Sequence, residues 1–83
     1  MTFGQEDILR YIKTHYEEGY KTVPVGDGII EITENNGKTL RLTCNIFSDI
    51  MDADTGKIIA KSDLPHNLDS LPIYSRPKSW KKI

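Results

Sequence analysis

Three side chains in this sequence have the chemistry for covalent catalysis: one cysteine, Cys44, and two histidines, His15 and His66. A cysteine and a histidine that lie together can act as nucleophile and general base. Nothing in the spacing of these residues places them together, and Cys44 falls on the expected buried face of a strand. We therefore interpret Cys44 as an inert buried thiol and His15 as a helix residue in partial contact with a sheet.

Two short stretches resemble parts of known catalytic or phosphate-binding motifs. "NNGKT" ends like a phosphate-binding loop, but Ile32 stands where that motif needs a glycine, and the following "TLRLT" alternates like a strand. "ADTGK" contains the Asp-Thr-Gly of aspartic proteases, which pair two such carboxylates in an apolar setting. The chain has one copy, in a charged stretch. Both stretches are better interpreted as turns.

Four aspartates between positions 49 and 63 supply carboxylate oxygens of the kind that bind calcium. An EF-hand loop beginning at Asp52 would need a glycine where Lys57 stands. A single cysteine forms neither an internal disulfide nor a thiolate cluster for a metal. The aspartates are therefore expected to cap turns, and the sequence predicts no catalytic group, cofactor or metal site.

The last fourteen residues, "SLPIYSRPKSWKKI", carry four positive charges, no negative charge and the only tryptophan. Because the whole chain carries −1 and this tail carries +4, residues 1–69 carry −5. An acidic body with a basic tail is the main electrostatic feature of the sequence. The candidate partner-binding residues are Tyr74, Arg76, Lys78, Trp80, Lys81 and Lys82.

Three interpretations of this tail differ in what the aromatic and basic side chains contact. They can fold back to complete the core, with the lysines solvated, and this is the preferred structural interpretation. They can instead bind a partner protein. Basic residues interleaved with aromatic ones can also bind single-stranded nucleic acid, through phosphate neutralisation and base stacking.

The first element predicted by periodicity is a helix in "TFGQEDILRYIKTHYEEG". Thr2 and Gln5 have the spacing of a capping box, and Gly19 suits the left-handed position after a helix end. Apolar and aromatic side chains recur every three or four residues, so one face of the helix must be covered. That face contains Ile8, Tyr11, Ile12, His15 and Tyr16.

Strands follow the helix. "YKTVPV" contains a proline and is placed at a sheet edge or at the start of a hairpin, with "GDG" as the next turn. "IIEITENNGKTLRLTCNI" predicts a β-hairpin whose loop is Asn35-Asn36-Gly37, with Gly37 left-handed. A two-residue loop would mix apolar and polar residues on both faces. The preferred register pairs Ile30 with Leu42, Glu31 with Arg41, Ile32 with Leu40 and Thr33 with Thr39, and continues the buried face through Cys44 and Ile46.

The segment "IFSDIMDADTGKIIAK" has two interpretations. In the first, a short helix has one face made of Ile46, Phe47, Ile50 and Met51. In the second, a bent strand leads to a second hairpin with Gly56 at a positive φ angle. The hairpin is preferred, and "KIIAK" is a strand in both cases. Prolines at positions 65, 72 and 77 exclude a long helix afterwards, so an irregular C-terminal arm is expected.

The sequence therefore predicts an α+β fold: one N-terminal helix on an antiparallel meander of three or four strands, residues 1–69, with a tail at 70–83. The charged fraction of 28% and the hydrophobic fraction of 37% are those of a globular chain. No apolar run approaches the roughly 20 residues that span a bilayer. Together with the lack of a signal-like N-terminus, this predicts a cytoplasmic protein without membrane association.

The predicted function is a small non-enzymatic protein-interaction module. An inhibitor, an immunity-type protein or an accessory protein that docks on a larger macromolecule fits the size and the absence of a catalytic constellation. The alternative is an accessory protein that binds nucleic acid through its basic and aromatic tail. The two functions differ in whether Trp80 and the lysines face a partner protein or a polyanion.

Overall fold

The computed structural model describes residues 3–67 and 76–83. For Phe3 it describes the backbone alone. These residues form one helix and one six-stranded antiparallel sheet with the strands in sequence order. The fold class is α+β, as predicted. The elements are α1 (Phe3–His15), β1 (Lys21–Gly26), β2 (Ile29–Thr33), β3 (Thr39–Cys44), β4 (Ile50–Asp52), β5 (Ile58–Ser62) and β6 (Trp80–Lys82).

Helix α1 follows the predicted apolar stripe. Ile8, Tyr11 and Ile12 are buried, and Tyr16, just beyond the helix end, is half-buried. His15 is partly exposed, and its ring stacks on Tyr11 with 4.4 Å between the ring centroids. Thr2 of the predicted capping box lies outside the described residues.

The β2–β3 hairpin has the predicted register at all four pairs, from Ile30–Leu42 to Thr33–Thr39. Its loop is closed by a hydrogen bond of 2.8 Å from the Glu34 N–H to the Lys38 carbonyl. Gly37 has a φ angle of 86°, the left-handed conformation that the three-residue loop requires. The alternating side chains and the turn residues therefore specify the same hairpin.

The prediction that the buried face continues to Ile46 is wrong. Ile46 is 65% exposed, because β3 ends at Cys44 and residues 45–49 form a loop. The Asn45 side-chain oxygen accepts hydrogen bonds from the backbone N–H groups of Phe47 and Asp49, at 2.9 and 3.0 Å. This local side-chain bonding competes with strand pairing and stops the alternation.

The preferred second hairpin is present between β4 and β5. The Asp52 carboxylate accepts the N–H groups of Asp54 and Thr55, so this aspartate caps a turn. Gly56 completes the turn at a φ angle of 76°. The chain then enters β5, which carries an extra residue opposite β4 between Ile58 and Ala60.

The predicted count of three or four strands is too low. β1 forms one edge of the sheet, as predicted. β6 forms the other edge, and the sequence did not predict it as a strand. Trp80–Lys82 was expected to be irregular because prolines precede it, but the three residues after Ser79 carry no proline and pair with β5. Pairing satisfies backbone groups of β5 that an open edge would leave to solvent.

The core lies between α1 and the sheet, and Trp80 of β6 closes one side of it. Residues 68–75 lie outside the described part of the chain, so the boundary at residue 69 stays a prediction. The buried apolar side chains are Ile8, Tyr11, Ile12, Ile30, Ile32, Leu42, Ile50, Ala60 and Trp80.

Candidate functional site

Arg76 and Trp80, two of the six predicted partner-binding residues, contact the body of the protein. Arg76 forms ion pairs with Glu6 at 3.0 Å and with Asp7 at 3.2 Å. The Trp80 side chain is only 8% exposed, and its indole N–H donates to the Ser48 carbonyl at 2.7 Å. Both groups are therefore engaged within the chain.

The Trp80 ring is held by helix α1 as well as by the loop before β4. It meets Tyr11 edge-on, with 5.9 Å between the ring centroids. The Arg10 guanidinium lies 5.5 Å from the centroid of the same ring and donates to the Pro77 carbonyl at 2.7 Å. A ring enclosed in this way has no free face for stacking on a base.

The predicted lysines behave differently from Arg76 and Trp80. Lys81 pairs directly with Lys61 across the β5–β6 ladder, so the two ammonium groups share one face of the sheet. Lys78 is exposed, and its backbone N–H donates to the Asp63 carboxylate at 3.1 Å. Lys82 places its ammonium 5.8 Å from the centre of the Tyr16 ring. Tyr74 lies outside the described residues.

Two exposed isoleucines lie on or next to the two strands that carry the Lys61–Lys81 pair. Ile58 is 37% exposed and Ile83 is 76% exposed. The Ile83 N–H donates to the Ile59 carbonyl at 3.2 Å, which extends the ladder by one step beyond β6. We call the surface formed by β5 and residues 80–83 the β5–β6 ribbon. It combines exposed lysines with exposed apolar groups on one short piece of sheet.

A buried carboxylate, Asp49, is the centre of a second group of polar contacts. Its side chain is 2% exposed, and it accepts hydrogen bonds from the Ser62 N–H at 2.8 Å and the Asn45 amide at 3.0 Å. The His66 Nε2 lies 2.7 and 2.9 Å from the two carboxylate oxygens, and the His66 ring contacts Phe47. Asp49 thus joins the loop before β4, the end of β5 and the segment after it.

These hydrogen bonds determine the ionisation of Asp49. Burial by itself would raise the pKa of this carboxyl, but the hydrogen bonds from Ser62, Asn45 and His66 outweigh it, and the pKa lies below its ordinary value. A carboxylate kept ionised by fixed donors is suited to holding those donors in place. Its acceptor positions are taken by the protein itself.

Two serines near Asp49 could complete a catalytic triad only if one of them contacted His66. The Ser62 hydroxyl donates to the Phe47 carbonyl at 2.5 Å, and the Ser48 hydroxyl donates to Asp7 at 3.0 Å. Each hydroxyl therefore has a partner other than the histidine. The arrangement joins the loop to the body and provides no activated nucleophile.

Cys44, His15 and His66 each contact different groups. The Cys44 sulfur lies 3.9 Å from the Gly4 carbonyl, and burial, together with Asp7 and Asp49, raises the pKa of the thiol. His15 binds the Tyr11 carbonyl and the Thr14 hydroxyl. Within residues 3–67 and 76–83, no group of three or more His, Cys, Asp or Glu side chains is arranged to hold a metal ion.

Sequence reasoning missed Lys61 and Asp49. Alternation in "KIIAK" places Lys61 on a strand, but only the pairing with β6 brings it opposite Lys81, and the tail was expected to be irregular. Asp49 looks like its neighbouring turn aspartates in the sequence. Its distinguishing contacts come from Ser62 and His66, which are 13 and 17 residues away.

Comparisons with known proteins found no matching family model, no matching curated protein and no matching solved structure. In the described part of the chain, no helix is both long and apolar enough to cross a membrane.

Proposed function

We propose that this protein is a small non-enzymatic interaction module that docks through the β5–β6 ribbon on an acidic surface of a larger protein. Inhibitor and accessory roles both fit such a module. The observation that carries the proposal is the direct opposition of Lys61 and Lys81 across two paired strands. The same ribbon presents Ile58 and Ile83 to solvent.

The lysine pair is unfavourable for the isolated fold. Like charges directly opposite one another on a sheet face destabilise it, and neither lysine forms an ion pair with a described residue. A carboxylate on a partner would remove this repulsion on binding. The repulsion therefore favours the bound state over the free state.

The exposed isoleucines favour a protein partner over nucleic acid. Protein interfaces commonly bury apolar side chains within a polar rim, and Ile58 and Ile83 beside lysines provide both parts. Nucleic acid offers phosphates to the lysines but little that would bury the isoleucines. The enclosed Trp80 ring also lacks the free face that single-strand binding uses.

The acidic body strengthens this preference. The net charge of the whole chain is −1, so a polyanion is attracted to the ribbon but repelled by much of the remaining surface. A folded protein with a local acidic patch can meet the ribbon alone. Charge complementarity of this kind mainly sets the association rate and the choice of partner.

The test compares two double variants with the same change in charge. Lys61→Gln with Lys81→Gln removes two charges from the ribbon, whereas Lys21→Gln with Lys38→Gln removes two exposed charges elsewhere. Wild-type protein captures partners from nuclease-treated lysate, and the captured protein is purified and titrated with all three forms. We expect about fivefold to tenfold weaker binding for the ribbon variant only, because exposed ion pairs contribute up to about 1 kcal/mol each.

Two outcomes contradict the proposal. Equal loss in both double variants would mean that overall charge, and not the ribbon, controls binding. The lysines would instead be assigned to nucleic acid if capture occurred in untreated lysate but not in nuclease-treated lysate, and if wild-type protein, but not the ribbon variant, shifted a labelled oligonucleotide at low salt.

A further inference from the structure

A groove lies at the C-terminal end of α1, where Lys82 faces Tyr16. The Lys61–Lys81 pair lies on the opposite face of the sheet. Its volume is about 360 Å³, within the roughly 300–1,000 Å³ range of ligand pockets. The end of the helix, the β2–β3 turn and the last residues of the chain form its walls. The side chains that matter here are Tyr16, Glu17, Tyr20, Glu34, Asn35 and Lys82.

The walls of the groove are fixed to each other. The Asn35 amide donates to the Glu18 carbonyl at 2.7 Å and so joins the hairpin turn to the segment after the helix. Gly19 adopts a φ angle of 101° beside Asn35, and a side chain there would overlap the Asn35 amide oxygen. The groove is therefore formed before any ligand arrives, which lowers the entropic cost of binding.

The electrostatic environment of the groove is negative. The C-terminal end of a helix carries partial negative charge, and Glu17 and Glu34 add two carboxylates. Neither carboxylate has a cation within 4.0 Å among the described residues. Burial, and then the charge of Glu34, raise the pKa of the Tyr16 hydroxyl.

One cation already occupies part of this environment. The Lys82 ammonium lies 5.8 Å from the centre of the Tyr16 ring, within the range of a cation–π contact. Its neighbour Lys81 pairs with Lys61 and, by strand alternation, points to the other face of the sheet. Lys82 thus shows which ligand chemistry the groove accepts.

We propose that this groove binds the cationic side chain of an arginine or lysine in a basic peptide segment, and that Lys82 is an internal competitor for the same position. A guanidinium is the better ligand, because its plane stacks on a tyrosine ring while its N–H groups reach carboxylates on either side. The groove and the Lys61–Lys81 pair lie on opposite faces of β6, and the two surfaces recognise opposite charges.

The test uses two tripeptides of nearly the same shape, one with a charged side chain and one with a neutral side chain. Acetyl-Gly-Arg-Gly-amide and its citrulline counterpart are titrated into the ¹⁵N-labelled full chain at constant chloride concentration. We expect saturable shifts of the amide signals of Tyr16, Glu34 and Asn35 with the arginine peptide. The citrulline peptide keeps the shape but loses the charge, so it should give far smaller shifts.

Matched variants test the role of each group. Lys82→Met removes the competitor and should tighten arginine-peptide binding several-fold, whereas Lys81→Met changes the same charge on the neighbouring residue and should not. Glu34→Gln should weaken binding several-fold, and Glu18→Gln, an equal charge change outside the groove, should not. Thermal melts of all four variants establish that each is folded.

The opposite signs expected for Lys82→Met and Glu34→Gln distinguish a specific site from general attraction. If Lys82→Met and Lys81→Met improve binding equally, net charge explains the effect and the competitor role is wrong. If the arginine and citrulline peptides give equal shifts, or if the shifts never saturate, the groove is not a cation site.

Discussion

The β2–β3 hairpin and the segment that closes the sheet at β6 are held by different kinds of interaction. The hairpin depends on residues close in sequence, with Thr33 and Thr39 pairing six residues apart and Gly37 turning the chain between them. The closure depends on distant polar partners. Trp80 donates to Ser48, and Arg76 pairs with Asp7, which lies 69 residues earlier.

The difference indicates how each region should respond to change. In local turns and alternating strands, many weak interactions each contribute a little to the free energy of unfolding. The effect of one substitution on that free energy therefore depends on the burial or the backbone angle of the residue. The closure relies on a few partly buried polar contacts, and each of these leaves an unpaired polar group when its partner is removed. Four experiments test this contrast, in order of decreasing effect.

The largest effect is expected for Trp80→Ala. This change removes a nearly buried ring that packs on Tyr11 and Arg10, and it leaves the Ser48 carbonyl without its donor. Aromatic truncation in a core costs about 3–5 kcal/mol. Urea unfolding should show this loss, with Lys81→Ala as the exposed control within about 0.5 kcal/mol of wild type. A small loss for Trp80→Ala would mean that β6 does not contribute to the core.

Leu42→Ala tests the hairpin side of the comparison. Leu42 is fully buried between Ile30 and the helix, and truncation of a core leucine costs about 2–5 kcal/mol. Ile46→Ala is the matched control, because Ile46 would continue the same alternation but lies exposed in the loop after β3. The two variants should differ by at least about 1.5 kcal/mol in urea unfolding. Equal losses would contradict the end of the buried face at Cys44.

The hairpin was predictable because every signal needed lies within the segment itself. Alternation fixes which residues face the core, and the Asn35-Asn36-Gly37 loop fixes the pairing. The helix stripe and the β4–β5 turn share this property. The prediction fails at Ile46, because the Asn45 side chain accepts hydrogen bonds from the backbone N–H groups of Phe47 and Asp49 just where the alternation would continue.

The rest of the fold depends on partners that the sequence does not identify. Ser48 has a φ angle of 60°, unusual for a residue with a side chain, and its neighbours give no glycine signal for it. Its carbonyl accepts from Trp80 and its hydroxyl donates to Asp7. The lysine pair of the ribbon and the groove beside Tyr16 likewise exist only after β6 has docked on β5.

Asp49→Asn tests the polar contacts of the closure through the pH dependence of the unfolding free energy. The pKa of Asp49 is lowered in the folded protein, so its stabilisation is fully present above about pH 4, the ordinary value for an unfolded aspartate. It is lost as the pH falls through the lower folded value. The variant should therefore be about 1.5–3 kcal/mol less stable than wild type at pH 7, with a smaller gap in acid.

Asp54→Asn is the control for that experiment. Asp54 is exposed in the β4–β5 turn, and its change should leave the unfolding free energy almost unaltered at either pH. Chemical denaturation at pH 7 and at about pH 3 measures both variants against wild type. A constant difference between wild type and Asp49→Asn across this range would show that charge on Asp49 does not stabilise the closure.

The smallest effect separates two glycines that both have positive φ angles. At Gly37 the space around an added Cβ is open, so Gly37→Ala should cost only the backbone strain, roughly 1–2 kcal/mol. Gly37→Asn should cost less, because asparagine tolerates the left-handed region.

Gly19→Ala adds an overlap with Asn35 and should cost more than Gly37→Ala. Combining Gly19→Ala with Asn35→Ala removes the overlap but also the Asn35 hydrogen bond to Glu18. The added cost of Gly19→Ala should therefore fall to the Gly37→Ala level when measured in the Asn35→Ala background. If it stays unchanged in that background, the Asn35 side chain does not lie against Gly19 as described.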